Sequence, residues 1–338
     1  MLKFIVRRLI MLAPILLGLS LVMAFFLHLL PGTPCANILG ERATAAQLQK
    51  CEHNLGYDRP PIVQWADYVV NAVQLDFGTS FSGARLPVLD AFLQRFPATI
   101  ELTLAAMLFA VGVGIPLGIA AAKRRQSLLD GAATVVSLIG ISIPIFFLGL
   151  ILVYVFGVWL HWLPAGGRFD LREFDFKGAG TNFLLWESLV IDRDPAKFLD
   201  VVGHLILPGI TLGTIPLAFV MRITRSAVIE VLNEDYVRTA RAKGLSARRI
   251  DSRHVLRNAL LPVVTVIGLQ SGLLLGGAVL TETVYSWGGV GTWLFTAAVD
   301  KDYAVIQSGT LLLASVFVLV NLAVDVSYAF LNPRIRYA

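Results

Sequence analysis

Six stretches of the chain run for at least 21 residues without Asp, Glu, Lys or Arg: Leu9–Leu30, Leu102–Ala122, Gly131–Leu160, Val201–Met221, Asn258–Thr281 and Tyr303–Val324. About 20 apolar residues in a helix cross the hydrocarbon core of a bilayer. Each window therefore predicts a membrane span, and together they predict an all-α polytopic protein with six transmembrane helices. The strands of an outer-membrane barrel would alternate in short segments instead. A seventh uncharged stretch, Thr283–Val299, is short and broken by Trp287-Gly288-Gly289-Val290-Gly291, so an outer re-entrant or surface segment is expected there. Pro116, Pro144, Pro208 and Pro216 predict kinks within the spans.

Composition agrees with this pattern. Of 338 residues 56% are hydrophobic, the mean hydropathy is +0.73, and only 15% are charged, against roughly a quarter in a soluble domain. The charges that exist decide the orientation. The N-terminus (Lys3, Arg7, Arg8), Lys123–Arg125, the link after the fourth window and the tail (Arg334, Arg336) hold 17 of the 28 basic residues in short segments. Lys and Arg collect on the cytoplasmic side, which places both termini inside. The first window runs into Pro31-Gly32 with no A-x-A-like site, so it reads as a retained span and not a signal peptide.

The long links Pro31–Pro97 and His161–Asp200 then fall outside. Thr44–Leu55 predicts a short helix stopped by Gly56-Tyr57-Asp58-Arg59-Pro60-Pro61, and Arg85, Asp90 and Arg95 read as solvated surface charges. The only two cysteines, Cys35 and Cys51, share the first outer link. An oxidising compartment favours pairing of exposed thiols, yet a disulfide and two separate thiols both fit the sequence. A metal site fits poorly, because His53 alone lies close and structural zinc takes four ligands.

The inner link after the fourth window carries the densest local signals. Asn233 suits an N-cap, with Glu234 and Asp235 on the first turn. Arg238, Arg241 and Lys243 suit the last turn, and Gly244 the left-handed position beyond it. Glu234 and Arg238 form an i,i+4 pair. Ser246 is placed to cap a second helix through Arg248, Arg249 and Arg253 to Pro262. Ala240, Ala242 and Gly244 leave this helix–turn–helix lightly clad, so another protein surface can approach it closely. A basic loop resting on anionic lipid is the competing reading.

At this link the residues resemble a known family. Glu234-Asp235-Tyr236-Val237-Arg238-Thr239-Ala240-Arg241-Ala242-Lys243-Gly244 and His254-Val255-Leu256-Arg257-Asn258-Ala259-Leu260-Leu261-Pro262 resemble the EAA loop of ABC importer permeases, in the dipeptide/oligopeptide branch. Arg238 and Thr239 depart from the general EAA pattern but fit that branch. Asp76-Phe77-Gly78-Thr79-Ser80, Phe96-Pro97-Ala98-Thr99-Ile100-Glu101-Leu102, Leu280–Trp287 and Asn332-Pro333-Arg334-Ile335-Arg336 are similar to it as well, whereas Thr33 and Gly288 replace the usual Asp and Pro.

The resemblance implies a type I ABC importer transmembrane-domain fold in a bacterial inner membrane. The parts are a tail and first span (1–30), an extracytoplasmic loop (31–98), and a transmembrane domain (99–338) with a second outer loop at 161–200 and a coupling loop at 222–261. The implied partners are a second permease in a pseudo-twofold heterodimer, two cytoplasmic ATPase subunits, an extracytoplasmic binding protein and membrane lipid, but no nucleic acid. ATP and Mg²⁺ would sit on the ATPases. Glu234, Asp235, Arg238, Ala240, Arg241, Lys243 and Gly244 would meet the ATPase. Di- or oligopeptides are the implied cargo, with nickel, glutathione or a glycan as alternatives in the same machinery.

The residues also weigh against other classes. No G-x-x-x-x-G-K-[ST] motif occurs, so the chain has no P-loop of its own and reads as a non-enzymatic subunit. An ion-driven transporter would want ionisable groups deep in the spans, and the windows hold no Asp, Glu, Lys or Arg; Glu101, Glu282 and Asp325 border them. Asp325 reads as an interfacial carboxylate near Arg334, and His28, His161 and His204 as interfacial or packing groups. A receptor or scaffold without transport remains a further class, distinguished by failure to bind ATPase subunits. Gly268, Gly272 and Gly276, and Gly114 and Gly118, recur every four residues, and such stripes let helix backbones approach closely.

Overall fold

The computed structural model describes residues 2–29, 33–40, 42–82, 85–176 and 180–331. Fifteen α-helices follow one another along the described residues. The first, α1 (Leu2–Leu29), leads into α2 (Pro34–Leu39), α3 (Ala45–Leu55) and α4 (Pro61–Val73). Next come α5 (Val88–Lys123), α6 (Leu128–Ser142) and α7 (Ile145–Leu152), which continues as a π-helical stretch, Val153–Trp159. A short α8 (Leu184–Trp186) precedes α9 (Pro195–Leu232), α10 (Asp235–Ala242) and α11 (Ala247–Ile250). A π turn, Asp251–Val255, joins α11 to α12 (Leu256–Gly277), and α13 (Val279–Val284), α14 (Val290–Val299) and α15 (Tyr303–Leu331) complete the chain.

Five apolar helical stretches are long enough to cross a membrane: Val6–Leu29, Val88–Lys123, Pro195–Leu232, Ala247–Leu275 and Tyr303–Val324. The third window is not one straight span. It is the pair Leu128–Ser142 and Ile145–Trp159, bent by 106°. Pro144 supplies the reason: it drives Ile143 out of the helical region to φ −80°, ψ 126° and breaks the ladder there. Pro116, Pro208 and Pro216 instead lie inside continuous helices. The helix that Ser246 precedes does not stop at Pro262 but runs on into the fifth span, and the Ser246 side chain makes no cap bond.

The centre of the bundle is α9, whose most apolar stretch is 72% buried, against 12% for α1. Small residues set its neighbour. A Cβ at Gly209 or Gly213 would meet Ala105 or Ala106 of α5, and one at Gly114 or Gly118 would meet Leu217 and Val220, or Met221 and Thr224. The numbers rise together along both helices, so α5 and α9 run side by side in the same direction. Gly272 sits against Asn321 and Phe317, which brings α12 onto α15. Gly268 is buried; the surroundings of Gly276, the Asp325 side chain, Pro31-Gly32, Arg334 and Arg336 lie outside the described residues.

At the end of the bundle where α5 and α9 begin, Cys35 and Cys51 are joined by a disulfide with their Cα atoms 5.9 Å apart. The bridge ties α2 to α3. Closing a loop of this size stabilises the folded link by roughly 3 kcal/mol relative to the reduced chain. Thr44 and Gln47 form a capping box at the start of α3, and Gly56 at φ +73° ends it. Beyond the cap, the Asp58 carboxylate takes a 2.7 Å hydrogen bond from His53, which holds its pKa below the ordinary value. Burial, with the negative charge of Asp302 behind it, pushes the Tyr57 hydroxyl up to about 12.

Candidate functional site

The link that follows α9 forms as a short helix wedged between the feet of longer ones. Asn233 does not cap α10. Its backbone is still helical and its Nδ2 donates to the Ile229 carbonyl at 3.0 Å, so it closes α9. Glu234 takes the extended cap position one residue later, with no side-chain cap bond. The Glu234 carbonyl accepts from the Arg238 N–H at 3.2 Å, but the Arg238 side chain does not pair with the Glu234 carboxylate. Arg238 lies 3.4 Å from Asp235 instead, and this exposed pair adds little stability. Gly244 takes φ +74°, and its N–H donates to the Arg241 carbonyl at 3.0 Å. A Cβ there would meet nothing within 4 Å, so the left-handed backbone alone requires glycine.

Val237 and Ala240 are buried. They join Ala122 of α5, Ala227 and Val228 of α9, Ile250 of α11, Val255, and Ala259 of α12 in one cluster. The opposite edge exposes Asp235, Tyr236, Arg238, Thr239, Arg241 and Lys243. Tyr236 adds a tie the motif alone did not disclose, as its hydroxyl accepts from Asn258 Nδ2 at 2.9 Å. Two charge pairs stiffen the same end. Arg225 donates from Nε and Nη2 to the two Asp130 oxygens at 2.5 and 2.9 Å, and Lys123 pairs with Asp251. The helix α10 is therefore packed against α5, α9 and α12 together.

At the opposite end, the Phe96–Leu102 and Leu280–Trp287 segments interlock. Thr99 Oγ1 donates to Glu282 Oε1 at 2.7 Å and accepts from Val290 N–H at 2.9 Å. Thr292 N–H donates to Glu282 Oε2 at 2.9 Å, so this fully buried carboxylate closes the N-terminus of α14. Trp287 Nε1 donates to the Ala98 carbonyl at 2.8 Å. Arg168, from the second outer link, pairs with buried Glu101 at 2.6 Å and lies 5.8 Å from the centre of the Trp287 ring. A Cβ at Gly289 would overlap Glu282 and Thr99. Gly288 takes φ +71°, which a proline, fixed near −65°, could not.

Thr283–Val299 accordingly comprises the end of α13, a turn, and α14, whose ten residues, about 15 Å long, are too short to span. Among the outer charges, Arg85 and Asp90 are exposed, but Arg95 is not solvated as expected. It is half-buried, donates to Ala91 O at 3.0 Å and stacks 5.4 Å over Trp293. Its position about two turns before a window concealed that partner. Another buried carboxylate, Asp302, accepts from Ser80 Oγ and Phe81 N–H at 2.7 Å and from Ser82 N–H at 3.1 Å. It clamps the Asp76–Ser80 segment onto the start of α15.

Among the described residues, five apolar helices of spanning length and one bent pair, with a seated polar helix at one end and a knitted mouth at the other, are the features of a multi-pass membrane permease. The comparisons narrow this class. Residues 114–337 match the family described as binding-protein-dependent transport system inner membrane component, and residues 1–103 match the N-terminal region of the same system. The chain belongs to this family and is a multi-pass inner-membrane protein. It is 51% identical over 338 residues to the di/tripeptide transport system permease protein of Pseudomonas aeruginosa, covering all of this chain and 99% of that one. It is 46% identical over 339 residues to the dipeptide transport system permease protein of Escherichia coli, with the same coverage. The glutathione transport system permease protein of Escherichia coli is 40% identical over the full length of both chains.

Proposed function

We propose that this chain is one of two permease subunits of an ATP-driven importer for di- or oligopeptides, with both termini in the cytoplasm. A binding protein would deliver cargo to the mouth built by Phe96–Leu102, Leu280–Trp287 and the outer links. Two ATPase subunits, holding ATP and Mg²⁺, would grip the exposed edge of α10. The chain itself supplies the path and no nucleotide chemistry. The observation that carries this reading is the two-sided character of α10. Val237 and Ala240 wedge it into the feet of α5, α9 and α12, while Asp235, Arg238, Arg241 and Lys243 stand outward.

The peptide cargo rests on the relatives that carry peptide names. Glutathione, itself a tripeptide, is the second reading, favoured by the 40% relative. The test is Gly244→Val, because a β-branched residue is strained at positive φ. Membrane insertion should be unchanged, while ATP-dependent dipeptide uptake into proteoliposomes should fall or the ATPase should cease to copurify. Normal uptake together with normal copurification overturns the coupling role. Uptake competed by glutathione but not by dipeptides overturns the peptide assignment.

A further inference from the structure

The helix α4 (Pro61–Val73) divides its circumference into three sectors. Gln64, Trp65, Tyr68 and Ala72 turn towards the protein and are half-buried. Asp67, Asn71 and Gln74 form an exposed polar flank. Asp67 and Asn71 line a cleft between α1, α4 and the start of α15, where His28, Tyr57 and Tyr303 also lie. The remaining flank is apolar and uncovered: Ile62 (52% exposed), Val63, Ala66, Val70 (58%) and Val73 (79%). At 100° per residue this flank is continuous along the whole helix.

The depth of α4 indicates what covers that flank. Trp65 Nε1 donates at 3.0 Å to Ser20 Oγ, which is buried in α1. Ser20 precedes the outer end of α1 at Leu29 by nine residues, about 14 Å along the axis. The helix is therefore seated against the outer half of a membrane span, not above it. At this level α1 turns Ser20, Ala24 and Leu27 inward and leaves Val22, Phe25 and Phe26 uncovered, the face that a span gives to lipid.

We propose that α4 is an interfacial helix of the outer leaflet. Its Ile62–Val63–Ala66–Val70–Val73 flank is solvated by lipid acyl chains, and its Asp67–Asn71 flank faces the aqueous cleft. An apolar face set beside a polar one on a helix lying in the interface plane is the arrangement expected of such an anchor. The disulfide-bonded link is thereby held to the membrane beside α1 and does not project freely above it. Ordered lipid contact at this flank fixes the orientation of the cleft. The inference concerns the outer link and stands independently of which cargo is carried.

Spin labels on V63C, V70C and V73C, and on D67C and N71C, test it. The native disulfide is kept intact. The full chain, with its copurifying subunits, is reconstituted in phosphatidylethanolamine–phosphatidylglycerol vesicles, and collisions with oxygen and with a water-soluble nickel chelate are measured. Positions 63, 70 and 73 should collide freely with oxygen and lose contact with nickel, and positions 67 and 71 should show the reverse. Nickel access at 63, 70 and 73 equal to that at 67 and 71 places the flank in water and overturns the proposal. Exclusion of both reagents there overturns it too, because a protein surface then covers the flank.

Discussion

The packing of α5 on α9 makes a sharp prediction at Gly118. A Cβ added there would lie 2.7 Å from the Met221 carbonyl oxygen and 2.7 Å from Thr224 Cβ, about 0.7 Å short of the 3.4 Å at which ordinary contact begins. Neither neighbour is the tip of a flexible chain: one is backbone, and the Thr224 hydroxyl is held by the Val220 carbonyl at 2.7 Å. The two helices must therefore separate. Overpacking a close-packed interior costs about 1–3 kcal/mol, and the rigid neighbours put Gly118→Ala near the top of that range. Alanine recovers up to about 1 kcal/mol of helix propensity over glycine, leaving a net loss of about 2 kcal/mol. Gly112, two turns nearer the outer end, has nothing within 4 Å of the same added atom. Gly112→Ala should keep the propensity gain alone and be stabilised by up to about 1 kcal/mol. Gly114→Ala should fall between them, because the tips of Val220 and Leu217, at 3.1 and 3.3 Å, can move. Unfolding of the purified chain by SDS titration from a mild detergent, followed by circular dichroism, reads all three. Equal shifts for Gly118→Ala and Gly112→Ala would refute the argument that this contact sets the helix spacing.

Two further outcomes follow from the outer end. Asp302→Ala leaves the Phe81 N–H without its acceptor, while the Ser80 hydroxyl keeps the Ser82 carbonyl and the Ser82 N–H keeps Ser80 Oγ; with about 1–3 kcal/mol for an unsatisfied buried group, the 80–82 segment should open locally. Hydrogen exchange should show faster exchange at Phe81 and Ser82, and unchanged protection would count against the clamp. The His53 contact lowers the Asp58 pKa, so the carboxylate form is favoured by folding; that contribution is present above the ordinary value of 3.8 and is lost as the pH falls through the depressed folded value. Pepsin cleavage of the 53–59 turn should rise as the medium is acidified below about pH 4 and should lose that dependence in Asp58→Asn.

Much of the architecture was legible along the chain because a bilayer imposes a local rule. Every spanning segment must be a long apolar helix whatever it packs against, so Leu102–Ala122, Val201–Met221 and Tyr303–Val324 could be read without knowing their neighbours. Backbone signals were equally local. The left-handed residues Gly56 and Gly244 and the break at Pro144 depend on φ and ψ near one residue. The helix α10 was visible for the same reason, although its cap moved from Asn233 to Glu234, since either residue type satisfies a terminus and only the reach of α9 chooses between them. What tertiary structure alone decided is which distant group each buried polar atom meets. Glu101 and Glu282 read as border charges, and Asp302, just before the last window, drew no reading at all. Their partners Arg168, Thr99 and Ser80 lie 67, 183 and 222 residues away in sequence. Arg95 appeared solvated because nothing near it in sequence announces Trp293. Hydrophobic spacing states that a residue leaves water, but a hydrogen bond or ion pair needs two atoms within about 3 Å, and that proximity exists only after α5, α13 and α15 have converged.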